Sequence, residues 1–165
     1  GDLATVEVEG WRGTHFMLAS DTGLLEEVAN GGIPSAWHPL GPTTTDEVAL
    51  LSPLDPVSAR GRAKALFDFD YVWEIYHRPD LVRFGRYTMP VLWGDQLVGR
   101  LDAKLDRKAN TLVVNGVWLE EAATARDADF REALREGVRN MARFLGAARV
   151  DATAVTDRRL RTRWP

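Results

Sequence analysis

Apolar and polar residues alternate over residues 3–9, with Ala4, Val6 and Val8 set against Thr5, Glu7 and Glu9. Period two is the mark of a strand with one face buried. Gly10 to Gly13 punctuates it, and residues 15–18 return as a second strand, so a β-hairpin of the kind called a wing is expected. Residues 21–30 then read as a short helix with Asp21 as N-cap, stopped by Gly31 and Gly32. Residues 33–46 contain three prolines and a run of threonines. Such composition reads as a linker.

Beyond it, residues 47–52 predict a short strand leading into the turn Pro53-Leu-Asp-Pro56. Residues 57–66 predict a helix, and residues 69–76 a strand with Tyr71, Trp73 and Ile75 on one face. Three strands of a meander follow. Residues 86–93 form the first, and Pro90 places it at an edge or a bulge. Gly94-Asp95 is a two-residue hairpin turn. The second strand carries Leu97, Gly99, Leu101, Ala103 and Leu105 on one face, with Val98, Arg100, Asp102 and Lys104 on the other. Residues 106–110 turn the chain into the third strand, 111–118. Apolar positions then switch to helical spacing at Phe130, Leu134, Val138, Met141 and Leu145, which predicts a long helix over 124–145. Thr124 with Asp127 approximates a capping box, and Gly146 is the stop. Residues 149–155 read as a last edge strand and 157–165 as an exposed tail. The expected class is α+β: an antiparallel β-meander or partial barrel packed against one long helix, preceded by the wing hairpin and a short helix. The expected division is 1–32 as the remnant of a winged-helix unit, 33–46 as linker, and 47–165 as the C-terminal domain.

The 165 residues suffice for one good core or two small ones. No apolar run approaches the ~18 residues of a membrane helix, so no membrane partner is expected. Cysteine is absent, which removes disulfides and thiolate chemistry and is compatible with a cytoplasmic location. The opening Gly1-Asp2-Leu3 runs at once into strand-like sequence, as expected of a segment from a longer protein. The net charge of −3 conceals an asymmetry: residues 1–56 hold nine acids against the single base Arg12. The remainder carries a positive excess. A polyanion would avoid the first third and approach the rest.

Chemistry-bearing patterns are few. His15, His38 and His77 lack metal-ligand spacing, and no metal site or cofactor is expected. Asp68, Asp70 and Glu74, on one predicted strand face, could bind Mg²⁺ or act as an acid–base pair; the alternative is a solvated or arginine-paired face beside Arg78, Arg83 and Arg86. Arg131, Arg135, Arg139 and Arg143 recur every four residues on the long helix, either as a phosphate-facing stripe or as an exposed face softened by Asp127, Glu132 and Glu136. The meander carries Arg83, Arg86, Arg100, Lys104, Arg107 and Lys108, interleaved with Tyr76, Tyr87 and Trp93. Cations fix phosphates and rings stack on bases. The alternative there is a sheet surface with ion pairs to Asp102 and Asp106.

One ordered string is more specific than any of these. Leu50-Leu-Ser-Pro-Leu-Asp-Pro56, Leu66-Phe-Asp-Phe-Asp-Tyr71, Glu74-Ile-Tyr76, Arg83-Phe-Gly-Arg-Tyr87, Met89-Pro-Val-Leu92, Gly94-Asp-Gln-Leu-Val-Gly-Arg100 and Asp102-Ala-Lys-Leu-Asp-Arg107 follow one another. The string resembles the C-terminal half of the bacterial winged-helix DNA-binding-domain-containing proteins, the AlkZ- and YcaQ-type DNA glycosylases. Val6-Glu-Val-Glu-Gly10 resembles the preceding wing. The resemblance implies a protein that excises alkylated or crosslinked bases, with tandem winged-helix units around a basic concave surface. Catalysis in that family rests on a Gln-x-Gln or Gln-x-Asp motif in the N-terminal half. The one glutamine here, Gln96, is followed by Leu97 and Val98, so no catalytic residue is carried over. A DNA-interacting domain, non-catalytic by itself, is therefore expected. Its partners would be double-stranded DNA and the N-terminal winged-helix region of the parent chain. The DNA-facing candidates are Arg83, Arg86, Tyr87, Arg100, Lys104, Arg107 and Lys108, the last from its hairpin position alone. A non-enzymatic winged-helix regulator is the alternative. A small acetyl-CoA-dependent acyltransferase is a second, suggested by the succession of meander and long helix.

Overall fold

The computed structural model describes residues 1–38 and 45–161. The chain divides into two compact units, Gly1–Pro42 and Thr43–Pro165. Residues 39–44 of the expected linker and 162–165 of the expected tail lie outside the described residues.

In the first unit, β1 (Leu3–Val6) pairs antiparallel with β2 (His15–Leu18), Leu3 opposite Leu18. α1 (Thr22–Ala29) follows with Asp21 at its N-cap, although the Asp21 side chain accepts no capping hydrogen bond. Trp11 packs edge-on against His15.

The second unit is built on a curled five-stranded sheet in the order β3-β4-β5-β6-β7. β3 (Val48–Leu50), β4 (Met89–Trp93), β5 (Gln96–Asp106) and β6 (Thr111–Leu119) are antiparallel neighbours, and β7 (Arg149–Asp151) joins β6 in parallel. The main core lies between this sheet and α3 (Ala128–Leu145). Leu101, Leu112 and Val114 from the strands meet Phe130, Leu134 and Val138 from the helix, all essentially solvent-free. The predicted helical stripe is thus the face that packs.

Two bulges modify the alternation read from the sequence. Val91 pairs with Gly99 but Leu92 with Leu97, leaving Val98 as an extra residue on β5. The bulge reverses the sidedness of what precedes it. Leu97 therefore leaves the Leu101 face and joins a second cluster with Ala63 and Phe69. Pro90, one residue before this irregularity, is buried and lies in an interior strand. On β6 the extra residue is Asn115, between Gly116 opposite Asp102 and Val114 opposite Ala103.

The predicted helix over 57–66 is interrupted. Arg60 and Gly61 adopt left-handed conformations, and only α2 (Arg62–Phe67) is regular. The predicted strand over 69–76 is not a strand: the segment is irregular and ends in a 3₁₀ turn, Glu74–Tyr76. Side chains rather than a backbone ladder tie it down. The Tyr71 hydroxyl donates to the Thr88 carbonyl at 2.7 Å and the Trp73 indole N–H to the Arg86 carbonyl at 3.0 Å. Burial pushes the Tyr71 phenol up to about 12, so it stays a donor at neutral pH.

The long helix begins later than the capping-box reading placed it. Asp127 is the N-cap; its Oδ1 accepts from the N–H groups of Asp129 (2.8 Å) and Phe130 (3.0 Å). Gly146, with φ +71°, ends the helix as expected. The tail is not wholly exposed: Leu160, on α4 (Arg158–Arg161), is buried in the main core. Removing the true cap separates the two capping schemes. Asp127→Ala should lower stability by about 1 kcal/mol, whereas Thr124→Ala should change it by less than about 0.5 kcal/mol. Urea unfolding of the two variants checks this.

A candidate nucleic-acid interface

A loop, residues 77–88, stands over the β5 face that carries Arg100 and Leu97. It is held by a single buried carboxylate. Glu74 is 5% exposed. Its oxygens accept from the backbone N–H of Arg83 (3.0 and 3.1 Å), Phe84 (2.9 Å) and Gly85 (3.2 Å). Burial pushes the carboxyl up, but the amides of Phe84, Arg83 and Gly85 together outweigh it and hold the group below the ordinary glutamate range. Gly85 has φ +137°, and a Cβ there would lie 2.5 Å from the Asp102 carboxyl carbon. Only glycine lets this loop close against β5.

Beneath the loop lies Arg100. It is 7% exposed. Its guanidinium carbon sits 4.5 Å from the ring centres of both Phe69 and Phe84, and its Nη2 pairs with Glu120 at 2.5 Å. Phe84 also meets Trp118 edge-on and carries the Arg83 guanidinium 5.0 Å from its centre. Arg100 thus braces the fold, and the structure places it inside rather than on the surface. The Arg100 Nε–H is buried and has no acceptor.

The remaining candidates fall into separate places. Arg83 and Arg86 are exposed on the loop, and Arg86 Nη1 donates to the Ile75 carbonyl. Lys104, Arg107 and Lys108 gather at the β5–β6 hairpin, around an open depression of about 560 Å³ shared with Asp106, Val113 and Asn115. Tyr87 joins neither group; it lines an apolar cleft with Met89 and Phe144.

The acids near the hairpin are occupied elsewhere. Asp106 Oδ1 accepts from the N–H of Lys108 and Ala109, closing the turn. Asp102 accepts from the Asn115 amide at 2.8 Å. Among the described residues, none of Arg83, Arg86, Lys104, Arg107 and Lys108 forms an ion pair. The α3 stripe behaves oppositely. Arg131 donates to the Ala125 and Arg126 carbonyls, Arg135 and Arg139 pair with Glu132, and Arg139 and Arg143 with Glu136. Three of its four arginines are thus ion-paired within the helix.

Of the acidic trio, only Asp70 and Glu74 line a common pocket. Asp68 pairs with Lys64, Glu74 anchors the loop, and Asp70 is exposed. No group of three potential metal ligands occurs among the described residues. The residues that sequence reasoning missed are Glu74 as loop anchor and Phe69, Phe84 and Trp118 as the aromatic setting of Arg100. The signals for them were the strings containing Phe69, Glu74 and Phe84; Trp118 lay outside these strings.

The exposed cations of the hairpin and loop are the candidate interface. The family model described as DNA glycosylase AlkZ-like matches residues 1–144. The chain belongs to the AlkZ-like DNA glycosylase family. No solved structure matches it. No helix among the described residues is long and apolar enough to cross a membrane.

The Glu74 anchor has a pH signature. Because its folded pKa is lowered, its contribution is complete above the unfolded glutamate value of ~4.3 and is lost as pH falls through the folded value. Glu74→Gln should destabilise the protein at pH 7 by about 1.5–3 kcal/mol. It should also flatten the loss of stability below about pH 4.3. Denaturant melts across an acid series read both effects.

Proposed function

We propose that this chain supplies a DNA-gripping surface to a glycosylase that excises alkylated or crosslinked bases, and that it is non-catalytic by itself. The observation that carries the reading is that, among the described residues, the cations of the β5–β6 hairpin form no ion pair. Lys104, Arg107 and Lys108 are exposed beside two carboxylates that are both turned to other partners. A β-hairpin presenting cations at its tip suits the phosphates flanking a groove. Arg83 and Arg86 extend the positive surface, and Tyr87 would add an exposed ring. Arg100 holds the loop bearing Arg83 in place and acts through it.

The chemistry is assigned to a winged-helix region of the same parent chain. Gln96 is exposed, is bonded to Asp95, and lacks the glutamine or aspartate two positions on that the family's catalytic motif requires. The β1–β2 hairpin with α1 is read as the wing and helix that join the two parts. The acyltransferase alternative gains no support, because a pyrophosphate at the α3 N-terminus would need amides that Asp127 already caps.

Duplex DNA binding should weaken steeply with salt. Arg107→Glu and Lys108→Glu should each lower affinity whatever the sequence and reduce the salt slope by about 1. Fluorescence anisotropy at stepped salt concentrations measures both. Affinity that ignores salt and these two reversals would remove the hairpin from the interface.

A further inference from the structure

The edge strand β7 brings to the hairpin a cation that the resemblance did not single out. Arg149 opens β7, and parallel pairing sets it beside Thr111 and sets Asp151 beside Val113. On the next strand Thr111 is opposite Asp106, and Val113 is opposite Lys104. Directly paired residues share a sheet face, and alternate residues of one strand do too. Arg149 therefore belongs to the outer face that carries Lys104 and Asp106. Val150 and Leu112, the intervening pair, point the other way and pack in the main core.

Arg149 is fastened to the β5–β6 turn. The Ala148 N–H donates to the Asn110 carbonyl at 3.0 Å, and Arg149 Nη2 donates to the Ala109 carbonyl at 3.2 Å. That contact uses one of five guanidinium donors. The side chain is exposed and, among the described residues, forms no ion pair. The acids of its own face are engaged locally. Asp106 Oδ1 holds the turn amides. Asp151 Oδ1 accepts from the Thr153 N–H at 2.9 Å and from its hydroxyl at 2.7 Å. Arg149 also borders a depression of about 330 Å³ with Arg139 and Arg143. Those two differ from it, because Glu132 and Glu136 already pair with them.

Two strand spacings of about 4.8 Å and two residues of about 3.3 Å put Lys104 and Arg149 roughly 12 Å apart at their Cα atoms. At about 3.4 Å of axial rise per phosphate of one strand, that distance covers a few phosphates. A guanidinium anchored by one donor loses little freedom on binding and keeps its remaining donors for a phosphate oxygen.

We propose that Arg149 is a phosphate ligand of the bound duplex, carrying the contact made at Lys104, Arg107 and Lys108 across β6 to the edge strand. The proposal rests on the DNA-gripping reading above and gives the DNA backbone a path over the outer face from β5 to β7. The competing role is a strut that only steadies the turn through Ala109.

Fluorescence anisotropy with a short paired duplex at stepped salt separates the two roles, using the 165-residue chain and its Arg149→Gln, Arg149→Lys and Arg143→Gln variants. Melting temperatures are taken alongside. Arg149→Gln should lower the salt slope by about 0.9 and weaken binding about eightfold at ~0.1 M salt. Arg149→Lys keeps the charge and should keep the slope. Arg143→Gln, which removes a paired arginine, should leave the slope unchanged. An unchanged slope in Arg149→Gln, with only the melting temperature lowered, makes Arg149 a strut and overturns the proposal. An equal loss in Arg143→Gln overturns it too, since the effect is then one of general charge. In either case a slope still lowered by Arg107→Glu leaves the hairpin reading standing. Failure of the unaltered chain to bind duplex at any salt overturns both. Where Arg149→Gln does not fold, phenylglyoxal modification of the unaltered chain decides. Protection of Arg149 by duplex at low salt upholds the contact, and equal modification with and without duplex overturns it.

Discussion

A guanidinium group buried on a β-sheet face must recover the hydration it gives up. Arg100 does so in part, through Glu120 on one side and two phenyl rings on the others, with its Nε–H left without an acceptor. Each partner comes from a different stretch of chain: Phe69 after α2, Phe84 from the loop, Glu120 after β6. The compensation of one charge therefore fastens three segments that have no backbone ladder in common. A buried cation with a missing partner costs far more than the pair contributes, so these segments are placed together or not at all. The bulge at Val98 is part of the same arrangement. It turns Leu97 away from the Leu101 core and toward Phe69, beside Arg100.

Glu74 is the complementary device. One carboxylate takes three successive amides of the loop, which would otherwise need water or a ladder. Its neighbour on the sheet side is Asp102, against which Gly85 packs. The same Asp102 is bonded to Asn115, the extra residue of the β6 bulge. Two acids on this side of the sheet thus have structural tasks, and so does Asp106 at the turn. The consequence for function is electrostatic. Structural carboxylates that face backbone and amide groups leave Lys104, Arg107 and Lys108 without ion pairs, whereas Glu132 and Glu136 on α3 pair with Arg135, Arg139 and Arg143. Net charge is the same kind of number in both places; only the partners of the acids differ.

That difference sets the limit of what the sequence discloses. The helix of the core was legible because its period comes from sterics alone: Phe130, Leu134 and Val138 must share a face. The hairpins at Gly94-Asp95 and residues 106–110 were legible for the same local reason. The segment at 69–76 misled, because its alternation of large and polar residues matches a strand pattern while its register is set by Thr88, Arg86 and Arg100, all distant in sequence. A bulge is equally invisible to period counting, which is why Leu97 was placed on the wrong face. The candidate cations were found by composition and resemblance. Whether each was free or engaged depended on where Asp102, Asp106 and Glu120 directed their oxygens, and no spacing rule states that.

The clearest case is Arg100 against Lys104. They lie four residues apart on one strand and on one side of its alternation, and in the sequence they are equivalent positive positions. In the fold one is roofed by Phe84 and the loop, while the other lies beyond the roof and faces solvent. The roof ends where Gly85 meets Asp102, so the boundary between a structural cation and an interfacial one falls at a single glycine contact. A side chain at position 85 would lift the loop, uncover Arg100 and move Arg83 at the same time. Stability and the shape of the cationic surface are for that reason coupled at this point, and a change that relaxes one cannot leave the other as it was.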